Sequence, residues 1–345
     1  MRTRAFHGGL GVVALVASGA LIQLSCEQLP SGPARASATG LRGVALTEWS
    51  RNGYSSGSAR SAITRIRSLG STHLMILSTA YQDTRSSSAV EVDSGLTPSE
   101  ASLRDAAAEA ASEGLMLAVK PHVDVRDGTG RSLIDPDNPS RWFESYRQYL
   151  LPLAELAESV GAVQFVVGTE LAATLEHEDE WSRTISMVRS RFSGAITYAA
   201  SWDEAALVPF WDEVDLVGID AYFPITVRRD AGRFEILSGW QLWLDRLEHL
   251  HSQTGKPVLL TEIGYRSVDG AGMAPYDFRN VGNVDAAEQS DLYWGAIQAF
   301  GETEWVVGMY WWNVRPDGPI GPDNTEYSPL GKSAEAELLS SWSQP

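Results

Sequence analysis

Cysteine is almost missing from this chain: Cys26 stands alone among 345 residues, so no intrachain disulfide can form. Positive charge is also scarce. Lys and Arg number 27 against 44 Asp and Glu, a formal charge of −17. With no basic patch in view, this excludes a protein that reads phosphates on nucleic acid or on an anionic membrane, and the acidity reads as solubility outside the cytoplasm. There is no serine-nucleophile elbow and no glycine-rich phosphate loop, which removes two large enzyme classes. Long apolar runs are missing apart from residues 10–24, a stretch too short and too rich in Gly and Ala to span a bilayer comfortably. What remains, 43% hydrophobic and 21% charged, fits one large globular domain with ample core.

Arg2 and Arg4 precede that apolar run, and the pattern reads as a signal peptide over residues 1–25. Gln23-Leu24-Ser25-Cys26 resembles the lipobox at which bacterial lipoproteins are cut and diacylated on the new N-terminal cysteine, with Gln23 where Leu is usual. The expectation is an exported protein of the bacterial cell envelope, anchored in the membrane only through lipidated Cys26. The alternative is a secretory signal cut there, or later at Ala34-Arg35-Ala36 or Ala36-Ser37-Ala38. Residues 26–40 read as a flexible tether, rich in small residues and Pro near its end. The domain proper is expected over 41–345, as a monomer.

From residue 41 the chain alternates strand and helix signals. Strands are predicted at 43–46, 73–77, 115–120, 163–167, 195–198, 216–219, 258–260 and 306–309, and eight is the number that closes a (β/α)8 TIM barrel, an α/β fold of one domain. Thr97-Pro98-Ser99-Glu100 offers an N-cap, a proline at the first helical position and a capping-box glutamate, and Asp285 with Glu288 repeats that logic. Trp142, Tyr146, Tyr149, Leu150, Leu153 and Leu156 follow one helical face and read as packing. Connections from helix to strand are brief and carry glycine, whereas those from strand to helix (78–95, 121–138, 221–239, 263–284, 310–331) are long. In a parallel barrel the long loops gather at the carboxyl-terminal face, where sites form.

The strand ends carry carboxylates and indoles: Glu48 and Trp49, Lys120 and His122, Glu170, Trp202 and Asp220, Tyr222, Glu262, and Trp311 with Trp312. Two of them, Glu170 after Phe165-Val166-Val167-Gly168-Thr169 and Glu262 after Pro257-Val258-Leu259-Leu260-Thr261, end buried apolar runs at the rim of the mouth. Two carboxyls facing one cleft suit glycoside hydrolysis with retention, where one attacks the anomeric carbon and the other protonates the leaving oxygen across about 5–5.5 Å. Twelve Trp and eleven Tyr add rings that stack on sugar faces and bond hydroxyls. Such chemistry needs no cofactor and no metal. Two readings from other classes stay open: a non-catalytic glycan-binding barrel lipoprotein, and a metal-dependent barrel hydrolase, for which His122-Val123-Asp124 is thin ligand support.

Leu115-Met116-Leu117-Ala118-Val119-Lys120-Pro121-His122-Val123-Asp124, Val167-Gly168-Thr169-Glu170-Leu171, Gly218-Ile219-Asp220-Ala221-Tyr222-Phe223-Pro224, Leu260-Thr261-Glu262-Ile263-Gly264-Tyr265 and Tyr310-Trp311-Trp312-Asn313 together resemble glycoside hydrolase family 113. Characterised members of that family are β-1,4-mannanases. The resemblance runs from about residue 43 to the segment 327–332. It implies a polysaccharide or oligosaccharide substrate, most simply β-mannan or glucomannan, with Glu170 as acid/base after the fourth strand and Glu262 as nucleophile after the seventh. Tyr222 would hydrogen-bond Glu262 and help hold it ionised. Trp311 or Trp312 would form the floor under the reacting sugar, and alternation allows only one to face inward, with Trp312 favoured. Lys120, His122, Trp49, Trp202 and Asp220 would contact hydroxyls or neighbouring rings. Thr169 stands where most of the wider clan has Asn, as it does in family 113, and is compatible with an axial 2-hydroxyl.

Overall fold

The computed structural model describes residues 40–342 apart from residue 302; the expected leader, Cys26 and residues 26–39 of the tether lie outside the described residues. Eight strands, β1 Leu41–Leu46, β2 His73–Gln82, β3 Met116–Val125, β4 Gln164–Thr169, β5 Ala195–Ser201, β6 Leu216–Asp220, β7 Val258–Ile263 and β8 Val306–Val314, pair in chain order, all parallel, into a closed barrel. Among the described residues seven α-helices flank it: α1 Gly57–Ser68, α2 Glu100–Ser112, α3 Pro139–Ser159, α4 Glu178–Arg189, α5 Arg233–Thr254, α6 Ala286–Phe300 and α7 Ser333–Trp342. The expected (β/α)8 architecture is therefore present, with one local replacement. Between β5 and β6 two 3₁₀ turns, Ala205–Leu207 and Trp211–Glu213, stand in for a helix, and Phe210 and Trp211 pack on Tyr198 to cover that side of the barrel.

Alternation divides the apolar residues into two cores. Leu41, Ala45, Met75, Leu77, Ala118, Val166, Ala199, Leu259 and Tyr310 fill the barrel interior. Val44, Ile76, Val119, Val167, Ile219, Leu260 and Trp311 face the helices instead. The aromatics of α3 lie in that outer layer, where Trp142 and Tyr146 stack 5.0 Å apart. Truncating a ring such as Trp142 to Ala costs about 3–5 kcal/mol.

Three strands extend further toward the mouth than their apolar runs suggest. β2, β3 and β8 continue to Gln82, Val125 and Val314, and β2 pairs with β3 from His73↔Met116 through Gln82↔Val125. In β2 and β3 the upper halves carry polar side chains inward, which breaks the hydrophobic run without breaking the backbone ladder. Helix α2 starts later than expected: Ser99 caps it by accepting from Ser102 N, while Thr97 donates to the Thr79 carbonyl. At α6, Asp285 is the cap, but Glu288 accepts from Gly270 and Gly272 N–H and pins the loop after β7. Long loops at 83–99, 126–138, 264–285 and 315–332 lie at the carboxyl-terminal face, against connections of three to five residues such as 113–115 and 301–305 at the base.

Candidate active site

Ala118 lies inside the barrel, so period-two alternation carries Lys120, His122 and Asp124 inward as β3 climbs to the mouth, while Val119 and Val123 go to the helix layer. Lys120 is fully buried and donates to Asp220 Oδ1 at 2.7 Å and to Glu262 Oε1 at 2.5 Å. Thr261 Oγ1 also donates to Asp220 Oδ1, at 2.7 Å. Burial, reinforced by the Glu262 charge, pushes the Asp220 carboxyl well above the usual range against the pull of Lys120. Tyr222 Oη donates to Glu262 Oε2 at 2.6 Å, and the ring of Tyr327 meets Tyr222 edge-on. Both oxygens of Glu262 are thus held, one by a cation and one by a phenol, an arrangement that stabilises a carboxylate.

The direction of Glu262 depends on an irregularity. Leu259 faces the interior, so strict alternation would send residue 262 outward. Between Leu260 and Ile263 the register against β8 shifts, as it does against β6 between Ile219 and Asp220. Such a bulge re-aims a side chain, and here it brings Glu262 beside Asp220. β4 has a similar shift against β5 between Val166 and Thr169.

Glu170 follows that shift with φ of +51°, in the left-handed region, a conformation that costs a non-glycine residue about 1–3 kcal/mol. It is held there from both sides. Glu170 N–H donates to the Ala199 carbonyl at 2.8 Å, and Leu171 N–H donates to Tyr198 Oη at 2.7 Å. The phenol in turn donates to buried Glu204, a carboxyl that burial pushes up to about 7. Among the described residues no donor bonds the Glu170 side chain, which is about a quarter exposed; Arg131 Nη1 stands 3.8 Å from its Oε2. Burial pushes Glu170 up to about 7, against the Arg131 guanidinium and with help from Glu262.

His122 and Arg131 link the two glutamates. Arg131, in the 3₁₀ turn Arg131–Leu133 after β3, donates to Asp124 Oδ1 at 2.6 Å and to His122 Nδ1 at 2.9 Å. His122 Nε2 lies 3.7 Å from Glu262 Oε1, and its ring stacks on Trp312, centroids 6.0 Å apart. Burial, then Arg131 and Lys120, lower the His122 pKa well below its ordinary value, so the imidazole is neutral. Among the described residues no group of three or more His, Cys, Asp or Glu side chains is arranged to hold a metal ion.

The neighbouring tryptophans separate. Trp312 packs against the interior core, while Trp311 is fully buried in the helix layer and stacks on Tyr293 of α6 at 3.9 Å. Trp311 as a sugar contact is therefore corrected, because Tyr310 points into the barrel and the next residue must point out. Trp202 stands at the rim after β5, stacked on half-exposed Tyr276 and packed edgewise on Trp243. Trp49 is half-buried in the loop after β1. Arg131 was not foreseen from the sequence, nor were Thr261 and Glu204. The available signal for Arg131 was two inward polar residues, His122 and Asp124, at the end of the strand that leads into its loop.

The model of Glycoside Hydrolase Family 113 matches residues 46–326. Among solved structures, a GH113 beta-1,4-mannanase determined as a complex is 26% identical over 88% of this chain and 99% of that chain, with a TM-score of 0.80. The GH113 beta-mannanase of Alicyclobacillus acidocaldarius in complex with ManMIm is 25% identical over 88% and 97%, with a TM-score of 0.81. An endo-beta-1,4-mannanase from Thermotoga petrophila, 13% identical over 88% and 77% at a TM-score of 0.56, shares the fold alone. Comparison with curated protein sequences finds no match. Eight strand ends, two re-aimed glutamates and a family pattern that spans most of the barrel agree, and the chain belongs to glycoside hydrolase family 113.

Proposed function

We propose that this glycoside hydrolase cleaves β-1,4-linked mannan or glucomannan by double displacement, with Glu262 as nucleophile and Glu170 as acid/base. The observation that carries the roles is the contrast between the two environments. Glu262 accepts from Lys120 and Tyr222, while Glu170 is pushed up to about 7 with no donor bonded to it. One carboxyl is held by a cation and a phenol, and the other is shifted toward keeping its proton. Glu262 attacks the anomeric carbon as Glu170 gives its proton to the departing glycosidic oxygen, so the C–O bond breaks and a glycosyl ester forms. Glu170, now a carboxylate, takes a proton from water, which attacks the same carbon and releases Glu262 with configuration retained. Trp312, stacked on His122, forms the floor under that sugar.

The β-mannanase neighbours support the substrate class. Digests of mannan, glucomannan, cellulose and xylan, with product lengths and the first-formed anomer read by NMR, test it. Mannan-type products appearing first as the β anomer are expected. Equal rates on cellulose or xylan would remove the substrate, and an α anomer would remove the double displacement. A folded Glu262→Gln protein of near-normal rate would remove the nucleophile. The leader reading leads us to place the enzyme at the envelope through Cys26; an unmodified N-terminus in the intact mass of the membrane fraction overturns that.

A further inference from the structure

We propose that Arg131 is a positioning residue: by donating to Nδ1 it fixes His122 in the Nε2–H form, and so presents a hydrogen-bond donor to a hydroxyl of the sugar seated on Glu262. This rests on the reading of Glu262 as nucleophile. A guanidinium has five donors and no acceptor, so at 2.9 Å the Nδ1 atom accepts from Arg131 and the single proton of a neutral ring is on Nε2.

That Nε2–H finds no acceptor among the described residues. His122 is 2% exposed, yet among the described residues its Nε2 has no hydrogen-bond partner. Glu262 Oε1 is 3.7 Å away, beyond bonding range, and is already taken by Lys120. A buried donor left unpaired costs about 1–3 kcal/mol, and the substrate hydroxyl is the group that relieves it. The ring cannot swing elsewhere, since Trp312 stacks on its face. Thr169, beside the acid/base, is not a competing donor because its hydroxyl proton goes to the Pro121 carbonyl at 3.0 Å.

The charged groups around the ring agree with one tautomer. β3 supplies Lys120 and Asp124, the following turn Arg131, the residue after β4 Glu170 and β7 Glu262. Asp124 occupies Nη2 of Arg131 and leaves Nη1 for His122. A second proton on Nδ1 would face the guanidinium and lose that bond. Lys120 stands on the same strand two residues away, so a third cation there is opposed from two sides.

The test reads the ring directly. The full chain labelled with ¹⁵N-histidine is followed by long-range ¹H–¹⁵N correlation from pH 5 to 8, with His122 identified by its loss in His122→Gln. The expected pattern is one protonated Nε2 and one unprotonated Nδ1 throughout, with the Nε2 signal shifting when mannobiose is added to Glu170→Gln. An Nδ1–H tautomer, a ring that titrates near its ordinary value, or an Nε2 signal indifferent to the sugar overturns the proposal. In Arg131→Met the Nδ1 atom loses its donor, so the Nε2–H form is expected to give way to a mixture with the Nδ1–H form, and kcat/KM to fall about ten- to a hundredfold, both partly restored in Arg131→Lys; if Arg131→Met does not fold, the tautomer read in the wild-type chain alone decides the proposal. The tautomer is measured without substrate, so its failure overturns the role of Arg131 alone, whereas a fluorosugar trapped on a residue other than Glu262 overturns the nucleophile.

Discussion

Replacing the acid/base with its amide is expected to abolish turnover and yet to stabilise the fold at alkaline pH. Glu170 has its pKa raised from 4.5 to about 7 by burial, opposed by Arg131. A carboxyl whose pKa is higher folded than unfolded binds its proton more tightly in the native state, so its ionisation removes stability as pH climbs from 4.5 to about 7, and the full loss is present above that. An interval of that size corresponds to about 3 kcal/mol. Glu170→Gln has the shape of the protonated acid and never ionises, so the variant lacks the loss. For a barrel of about 300 residues the difference amounts to about 4–6 °C in Tm. The assay is thermal unfolding of both proteins from pH 4 to 9, read as the difference in Tm. That difference should be near zero at pH 4, grow through pH 5–7, and level off by pH 8. Glu204, also raised to about 7, is common to both proteins and cancels. A difference that is flat with pH, or that favours the wild type at pH 8, would refute the reasoning that Glu170 keeps its proton by being buried.

Four further outcomes are expected. Tyr222→Phe removes the 2.6 Å bond to Glu262 Oε2 and should lower kcat/KM by about ten- to a hundredfold, the value of a hydrogen bond to a charged acceptor, with Tm little changed; a loss under threefold would count against it. Lys120→Met strips the buried cation from Asp220 and Glu262 and should cost about 3–5 kcal/mol in denaturant unfolding, part of which Asp220→Asn on the same chain should restore; no restoration would show that the pair does not act as a unit. Trp311→Ala should lower Tm through loss of the stack on Tyr293, whereas Trp312→Ala should raise KM for mannan with a smaller change in Tm, and the reverse pattern would reverse the orientation argued for the two rings. The alkaline limb of kcat/KM on an aryl glycoside with a poor leaving group should lie near pH 7, where Glu170 loses its proton; a limb near the ordinary 4.5 would contradict the buried acid.

The barrel was legible because buried parallel strands carry unbroken apolar runs and because long loops sit on one face only. The same rule hid the upper halves of β2 and β3, where inward polar side chains interrupt the run but the backbone ladder continues. Strand-end position identified Glu262 as a rim residue, but its direction comes from a register shift between Leu260 and Ile263, which no period-two count can supply. For Trp311 and Trp312 parity made one of them outward, and the inward position of Tyr310 decides which. Arg131 was illegible for a different reason: its partners His122 and Asp124 lie on β3 and Glu170 just beyond the end of β4, and only the closed barrel makes them neighbours of one loop side chain.

That convergence also explains why the mouth holds two cations among four carboxyls. Lys120 pairs with Glu262 and Asp220, and Arg131 with Asp124 and, more loosely, Glu170. Burial pushes two of these carboxyls, Glu170 and Asp220, upward, the direction that lowers the negative charge of a buried cluster. In the first step of the proposed double displacement Glu262 would give up its charge by forming the ester while Glu170 would gain one by releasing its proton. The net charge does not change; a negative charge moves from the Lys120 side of the mouth to the Arg131 side. Each cation thus faces the glutamate that is anionic in one half of the cycle. Loss of the Glu262 charge in the proposed ester would also remove one of the causes that raise Glu170, so on this reading the acid of the first step is converted into a stable base for the second by the reaction itself.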